Sequence, residues 1–205
     1  MKTILSLVLV AFFLSACSSN QPLKIAIQPF EGVNQVDVEL IKSSLAENYK
    51  AKVYVLETMD IPQSTFTHVK TPRYRADQLI AFLKENKKET IDHIIGLIAK
   101  DISTTKKNAD GSVKEPASKY KDWGIFGLGY RPGVSCIVST YRLSKRRPDR
   151  RSQLIKIANH EIGHNLGLSH CDRTSDCVMR DAAESIKTID KVGSTLCTHC
   201  KEDIK

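Results

Sequence analysis

Apolar and polar residues alternate along Leu23–Phe30 (LKIAIQPF), the period of a β-strand, and the run ends at a Pro-Phe pair. The period then lengthens. Val38, Leu40, Ile41, Leu45 and Tyr49 recur at helical spacing within Val36–Tyr49. Ala51–Leu56 reads as a second strand, Pro62–Pro72 as a loop, and Ala76–Glu85, with Leu79, Ile80, Phe82 and Leu83, as a second helix. Ile91–Ala99 is a short apolar run with the character of a buried strand. Strands alternating with helices predict an α/β fold whose sheet is largely parallel.

Residues 103–122 interrupt this order. They are polar and basic, with Asp110-Gly111 and Pro116 as turn signals, and read as a surface loop. The apolar pattern resumes at Trp123. Two strand-like pieces flank Arg131-Pro132-Gly133 within Gly127–Leu143, and the second puts Val134, Cys136, Val138 and Thr140 on one face. A basic stretch from Lys145 to Arg151 leads to a helix expected over residues 152–168, with Leu154, Ile155, Ala158, Ile162 and Leu166 in register. The remainder, 169–205, reads as a small irregular lobe with one helix near 180–190.

The start of the chain has a different grammar. Lys2 precedes an almost wholly apolar run from Ile4 to Ala16, too short to span a bilayer, which needs roughly 20 residues. Charge, then apolar run, then small residues is the order of a signal peptide. Leu14-Ser15-Ala16-Cys17 resembles a bacterial lipobox, which implies a signal peptide over 1–16, a lipidated Cys17 and a tether over 17–22. Ser18, rather than Asp, then points to the outer membrane, facing the periplasm. The alternative is an ordinary signal peptide with Cys17 in a flexible leader. The folded part is expected over 23–205, divided at residue 168.

Composition adds limits. The chain has 205 residues, 41% hydrophobic and 26% charged, which excludes disordered and collagen-like classes. The net charge of +8 is basic without the density of a nucleic-acid-binding tail, and no nucleic-acid partner is expected. The densest basic run, Lys145, Arg146, Arg147, Arg150 and Arg151, reads as a solvated loop, with an anionic surface as the other reading.

The chemistry is concentrated in a short stretch. His160 and His164 are four apart in a helix, about 40° different in azimuth and about 6 Å apart along the axis, so both imidazoles can reach one ion. Glu161 points about 100° away from His160, beside the ion, where a general base belongs. Gly167 can take a left-handed conformation and turn the chain so that His170 returns to the same point. Three protein ligands leave a fourth position open for water, the arrangement of a catalytic zinc site.

His160-Glu161-x-x-His164-x-x-Gly167-x-x-His170 is the signature of metzincin metallopeptidases. Cys171, Cys177, Met179 and Cys197-x-x-Cys200 follow, and with them the chain resembles an archaemetzincin. The resemblance implies a zincin-like fold: a mixed sheet, an active-site helix and a small irregular C-terminal lobe. It also implies a zinc peptidase, endopeptidase or aminopeptidase, with Met179 as the apolar base of a Met-turn. Ile94–Asp101 and Ile125–Leu143 resemble the family's central and edge strands, and a peptide substrate is expected to lie along Gly133–Tyr141. No Tyr lies near Met179 in the sequence, so no side chain is assigned to the oxyanion. Five residues separate Cys171 from Cys177, one more than the family usually has.

The resemblance implies a second, structural zinc on Cys171, Cys177, Cys197 and Cys200. Disulfides are the rival, because export favours them over free thiols. Cys136 reads as a buried packing residue, and His93 and His199 as structural. A monomer is expected. Two further readings are a non-catalytic zinc-binding lipoprotein (a carrier or sensor) and a structural surface lipoprotein with a vestigial fold. Glu161 argues against the first, since storing zinc needs no general base. The intact His160, His164 and His170 argue against the second.

Overall fold

The structure, a computed structural model, describes residues 21–180 and 185–204. Residues 1–16, read as a signal peptide, and Cys17 lie outside the described residues. Among those described, no helix is long and apolar enough to cross a membrane.

The first half follows the hydrophobic period closely. Strand β1 (Lys24–Pro29), helix α1 (Gln35–Tyr49), strand β2 (Lys52–Val55), helix α2 (Ala76–Asn86) and strand β5 (His93–Ile98) stand where the periodicity puts them. Asn34 caps α1 by accepting the Val36 N–H at 2.9 Å. The loop reading of Pro62–Pro72 is corrected. Strands β3 (Phe66–His68) and β4 (Pro72–Arg75) lie there. They join β6 (Ile102–Thr104) and β7 (Trp123–Ile125) in a separate four-stranded sheet, in the order β3-β4-β6-β7. These strands are three or four residues long, so no alternation had length to develop. The polar segment 103–122 carries the end of β6 and a single-turn helix, α3 (Ala117–Tyr120).

The main sheet has the order β2-β1-β5-β9-β8, with β8 at Gly127–Gly129 and β9 at Ser135–Ser139. All of its pairings are parallel except β8 against β9. Both faces are covered. Ile25, Ile27, Ile95, Leu97, Cys136 and Val138 meet the helix side that holds Ile41, Leu45, Leu154 and Ile162. Ala26, Ile94, Ile98 and Ile137 meet Leu79, Ile80 and Leu83 of α2. Burial on both faces explains why the inner strands read as continuous apolar runs. In β9 Cys136 and Val138 share one face, as the alternation predicts, while Ile137 faces α2, and all five residues of the strand are buried.

One consequence bears on substrate. β9 is interior, paired on both sides, so Gly133–Tyr141 is not the free edge expected for peptide binding. The free edge is β8.

Helix α4 (Arg147–Asn165) starts five residues before the expected Ser152 and stops short of 168. Pro148 suits the first turn, where its missing N–H costs nothing, and the basic residues around it hid the start. The basic run is therefore largely helical. Arg150 grips Asp37 of α1 through two bonds of 2.6 and 2.7 Å, tying α4 to α1. The C-terminal lobe has α5 (Ile186–Lys191), near the expected helix, and α6 (Thr198–Asp203), which was not expected. It has its own small core of Leu168, Val178, Met179, Leu196 and three cysteines.

Candidate metal centre

Residues 160–170 assemble as the helix arithmetic requires. α4 ends at Asn165, and Gly167 takes φ +92°, a region closed to most L side chains. The Gly167 N–H then donates to the His164 carbonyl at 2.9 Å and the Leu168 N–H to the Gly163 carbonyl at 3.0 Å. This turn returns His170 to the helix face. The three imidazole centroids lie 4.5, 5.3 and 5.0 Å apart, and one ring nitrogen from each lies within 4.8 Å of the others.

The tautomers follow from the hydrogen bonds. His160 Nδ1 is 2.8 Å from the Val178 carbonyl and His164 Nδ1 is 2.9 Å from the Leu168 carbonyl. A carbonyl only accepts, so each Nδ1 carries the proton and each Nε2 keeps its lone pair for an ion. The donor set fits zinc: neutral imidazoles, oriented from behind by backbone oxygens.

Met179 is fully buried in the core of the C-terminal lobe, against Gly163 of α4. The Cys171 N–H donates to its carbonyl at 2.8 Å, which couples the third-ligand segment to the Met loop. Tyr49 packs against the same cluster, but its hydroxyl is spent in a short hydrogen bond to the Asn159 carbonyl on the buried side.

Glu161 is also buried, against the edge strand. A Cβ on Gly127 would lie 2.8 Å from Glu161 Oε1, and one on Gly129 would lie 2.7 Å from the Glu161 carbonyl oxygen. A side chain at Gly129 would lift the strand off the helix backbone, and one at Gly127 would displace the Glu161 and Ile157 side chains. Burial pushes the Glu161 carboxyl up to about 8, with the Gly129 backbone N–H opposing that rise. Beside Glu161 and His160 opens a mostly apolar cavity of about 70 Å³, walled by Phe126, Ile157, Val178, Ile189 and Val192.

The four cysteines also converge. Cys171 and Cys197 sulfurs are 3.8 Å apart, those of Cys177 and Cys200 3.7 Å, and all four lie within 4.8 Å of one another. Four thiolates at about 2.3 Å from one tetrahedral ion stand about 3.8 Å apart, whereas disulfide sulfurs stand about 2.0 Å apart. The donor set therefore fits a tetrahedral thiolate site, and the extra residue between Cys171 and Cys177 is absorbed in their loop. Cys197 caps α6. Burial raises its thiol, but the Cys200 N–H and the neighbouring sulfurs outweigh this and bring it down to about 6. Cys200 is raised by burial and by the same neighbours.

The remaining candidates are apart from both clusters. Cys136 is fully buried in β9 and its thiol is raised, first by burial and then by Glu161. His93 is half-buried at the start of β5, and His199 is exposed on α6.

The peptidase family M54 model matches residues 35–205. The chain belongs to peptidase family M54. It is 28% identical over 184 residues to the archaemetzincin of Archaeoglobus fulgidus, covering 89% of this chain and 99% of that one. It is 30% identical over 162 residues to the archaemetzincin of Haloquadratum walsbyi, covering 74% and 82%. The crystal structure of the A. fulgidus archaemetzincin complexed with malonate superposes with a TM-score of 0.69 at 27% identity, over 89% of this chain and 100% of that one. The Methanopyrus kandleri archaemetzincin shares the fold, with a TM-score of 0.71 at 24% identity over 92% and 96%. The protein is thus an M54 zinc metallopeptidase of the archaemetzincin group, with the zincin-like fold of that group.

Sequence reasoning missed the residues that fit the parts together. Gly127 and Gly129 let Glu161 under the strand. Asn165 donates to the Tyr130 and Ser135 carbonyls, both at 3.1 Å, and holds the loop between β8 and β9 against the end of α4. The Gly-x-Gly at a strand was the one available signal of a close approach.

Proposed function

We propose that His160, His164 and His170 hold the catalytic zinc and that Glu161 is the general base for hydrolysis of a peptide lying along β8. The observation that carries this reading is the placement of Glu161 between the triad and the free edge strand. Zinc at the triad supplies Lewis acidity and activates water at neutral pH. Glu161 accepts a proton from the attacking water and delivers it to the departing amine. The unpaired backbone groups of β8 align the peptide by strand addition, and the apolar cavity beside Glu161 receives one of its side chains. The carbonyls of Val178 and Leu168 keep the imidazoles oriented, and the burial around Glu161 excludes bulk water from the proton path.

Cys171, Cys177, Cys197 and Cys200 hold a second zinc, closed to chemistry, that ties the short C-terminal lobe to the Met179 loop. Their sulfur separations support this over disulfides. Acylation at Cys17 would display the enzyme on the cell envelope. Support for that comes from the order of residues 1–17 alone, and acyl mass on the mature protein tests it.

The test of activity is a broad peptide library. Zinc-loaded wild type should cleave it, and Glu161→Ala should lose on the order of 10²–10⁴ in rate while keeping its zinc. Equal cleavage by both, or inertness of both with zinc bound, would sink the general-base reading.

A further inference from the structure

The edge that faces the triad does not end at Gly127. β7 leads through Phe126 into β8, and Phe126 lines both the apolar cavity beside Glu161 and a second one of about 300 Å³. The walls of the second include Lys70, Lys119, Trp123 and Arg142. Four residues of extended chain, about 14 Å, reach from Gly127 to Trp123, so the second cavity lies within the span of one bound peptide.

Its positive charges fall into two groups. The arginines are matched. Arg142 makes bonds of 2.6 and 2.7 Å to Asp101, and Arg73 reaches Asp101 at 2.8 Å and Asp122 at 2.9 Å. The lysines are not. Lys70, Lys106 and Lys119 take part in none of the ion pairs found among the described residues.

These lysines are nevertheless held in place. The Lys106 and Lys119 ammoniums stand 4.4 and 5.4 Å from the centroid of the Trp123 ring. Tyr120 stacks on Trp123 at 5.4 Å, and Lys119 also lies over Tyr120. Lys70 Nζ donates to the Lys119 carbonyl at 3.0 Å. A surface lysine ordinarily trails in water. Here a carbonyl and aromatic faces hold Lys70 and Lys119 at a cavity whose arginines are already neutralised, with Lys106 on the same Trp123 ring, and an incoming anion meets unmatched positive charge.

Polarity of binding sets what that anion belongs to. A peptide paired antiparallel to β8, the commoner pairing and the one β9 makes on the other side, runs with its C-terminal half toward Phe126 and Trp123. We propose that the cradle formed by Lys70 and Lys119 beside Trp123 is an anion subsite of the peptide cleft. It takes a carboxylate, terminal or side-chain, carried two to four residues C-terminal to the scissile bond. The register of this inference rests on the peptidase reading; the binding of the anion does not.

Trp123 is the only tryptophan in the chain, so its emission reports on the cradle directly. Zinc-loaded Glu161→Gln protein is titrated with three matched N-acetylated hexapeptides: one with a free C-terminus, one amidated, and one amidated with Glu at the last position. The carboxylate-bearing peptides should shift the emission at about tenfold lower concentration than the neutral amide, and the gap should shrink with added salt. A Lys70→Ala/Lys119→Ala double variant should close it. A response to the free C-terminus alone assigns the subsite to chain ends; a response to both assigns it to carboxylates in general. Equal concentrations for all three peptides would overturn the proposal. Cleavage mapped with wild type then tests the register: cuts two to four residues before the carboxylate support it, and cuts scattered without regard to it remove the cradle from the cleft. If no peptide is cut while the emission preference stands, the peptidase reading fails and the anion site does not.

Discussion

A Cβ on Gly163 would stand 2.3 Å from Met179 Sδ. The active-site helix and the Met loop are therefore in contact through the missing side chain of one residue, in the turn between the two helical ligands. The third neighbour is the Tyr49 hydroxyl, at 3.3 Å from the same point. Gly163→Ala should displace Met179, which is fully buried, from the helix that carries His160 and His164. Overpacking of this kind costs about 1–3 kcal/mol. Thermal unfolding and zinc affinity, measured together, should both fall; an unchanged melting temperature with unchanged affinity would contradict the contact.

Gly129 is the counterpart on the upper side. A methyl there meets the backbone of Glu161 rather than a movable side chain, so β8 must lift from α4. Gly129→Ala is expected to keep its zinc, because neither the ligands nor their carbonyl partners move. Its kcat should fall by more than tenfold, since displacements of about 1 Å can cost on the order of 10² in rate. Metal analysis beside steady-state kinetics separates the two effects.

The sulfur separations of 3.7 and 3.8 Å predict two zinc ions per chain and no disulfide among the four lobe cysteines. Cys197→Ser should remove roughly half of the bound metal, since one of the two ligand sets is broken, and lower the melting temperature. Thiol titration of chelated, unfolded protein should find these cysteines reactive. One zinc per chain with unreactive lobe thiols would assign them to disulfides.

His93 gives stability a pH dependence that does not involve a ligand. Burial lowers its imidazole below the usual value; Lys87 lowers it further, and Asp92 and the Gly133 backbone oppose the shift. The unfolded chain therefore binds the proton more readily than the folded one. The contribution is complete above the unfolded value of about 6.5 and is lost as pH falls from there through the folded value. Urea unfolding of wild type should weaken more steeply below pH 6.5 than that of His93→Gln. Parallel curves for the two proteins would exclude the effect.

The main helices and the convergence of His160, His164 and His170 were both legible before folding was considered. Helical period placed α1, α2 and the ligand-bearing part of α4, because each buries one long apolar stripe. His160, His164 and Glu161 were readable because a helix converts spacing directly into direction. Gly167 was readable because only a left-handed turn returns His170 to His160 and His164. These are local relations, and the sequence by itself determined them.

The identity of the edge strand was not local. Gly133–Tyr141 has the composition of a strand, but whether a strand is interior or at an edge depends on what pairs with its other side, and β8 occupies that position. The second sheet was hidden for a related reason: its strands are too short for a period, and each exists only through its neighbours. The proposal of zinc over disulfides likewise rests on sulfur separations of a few ångströms that no spacing of Cys along the chain conveys. The same holds for the three lysines beside Trp123. They come from positions 70, 106 and 119, and only the pairing of β4, β6 and β7 gathers them beside the peptide edge.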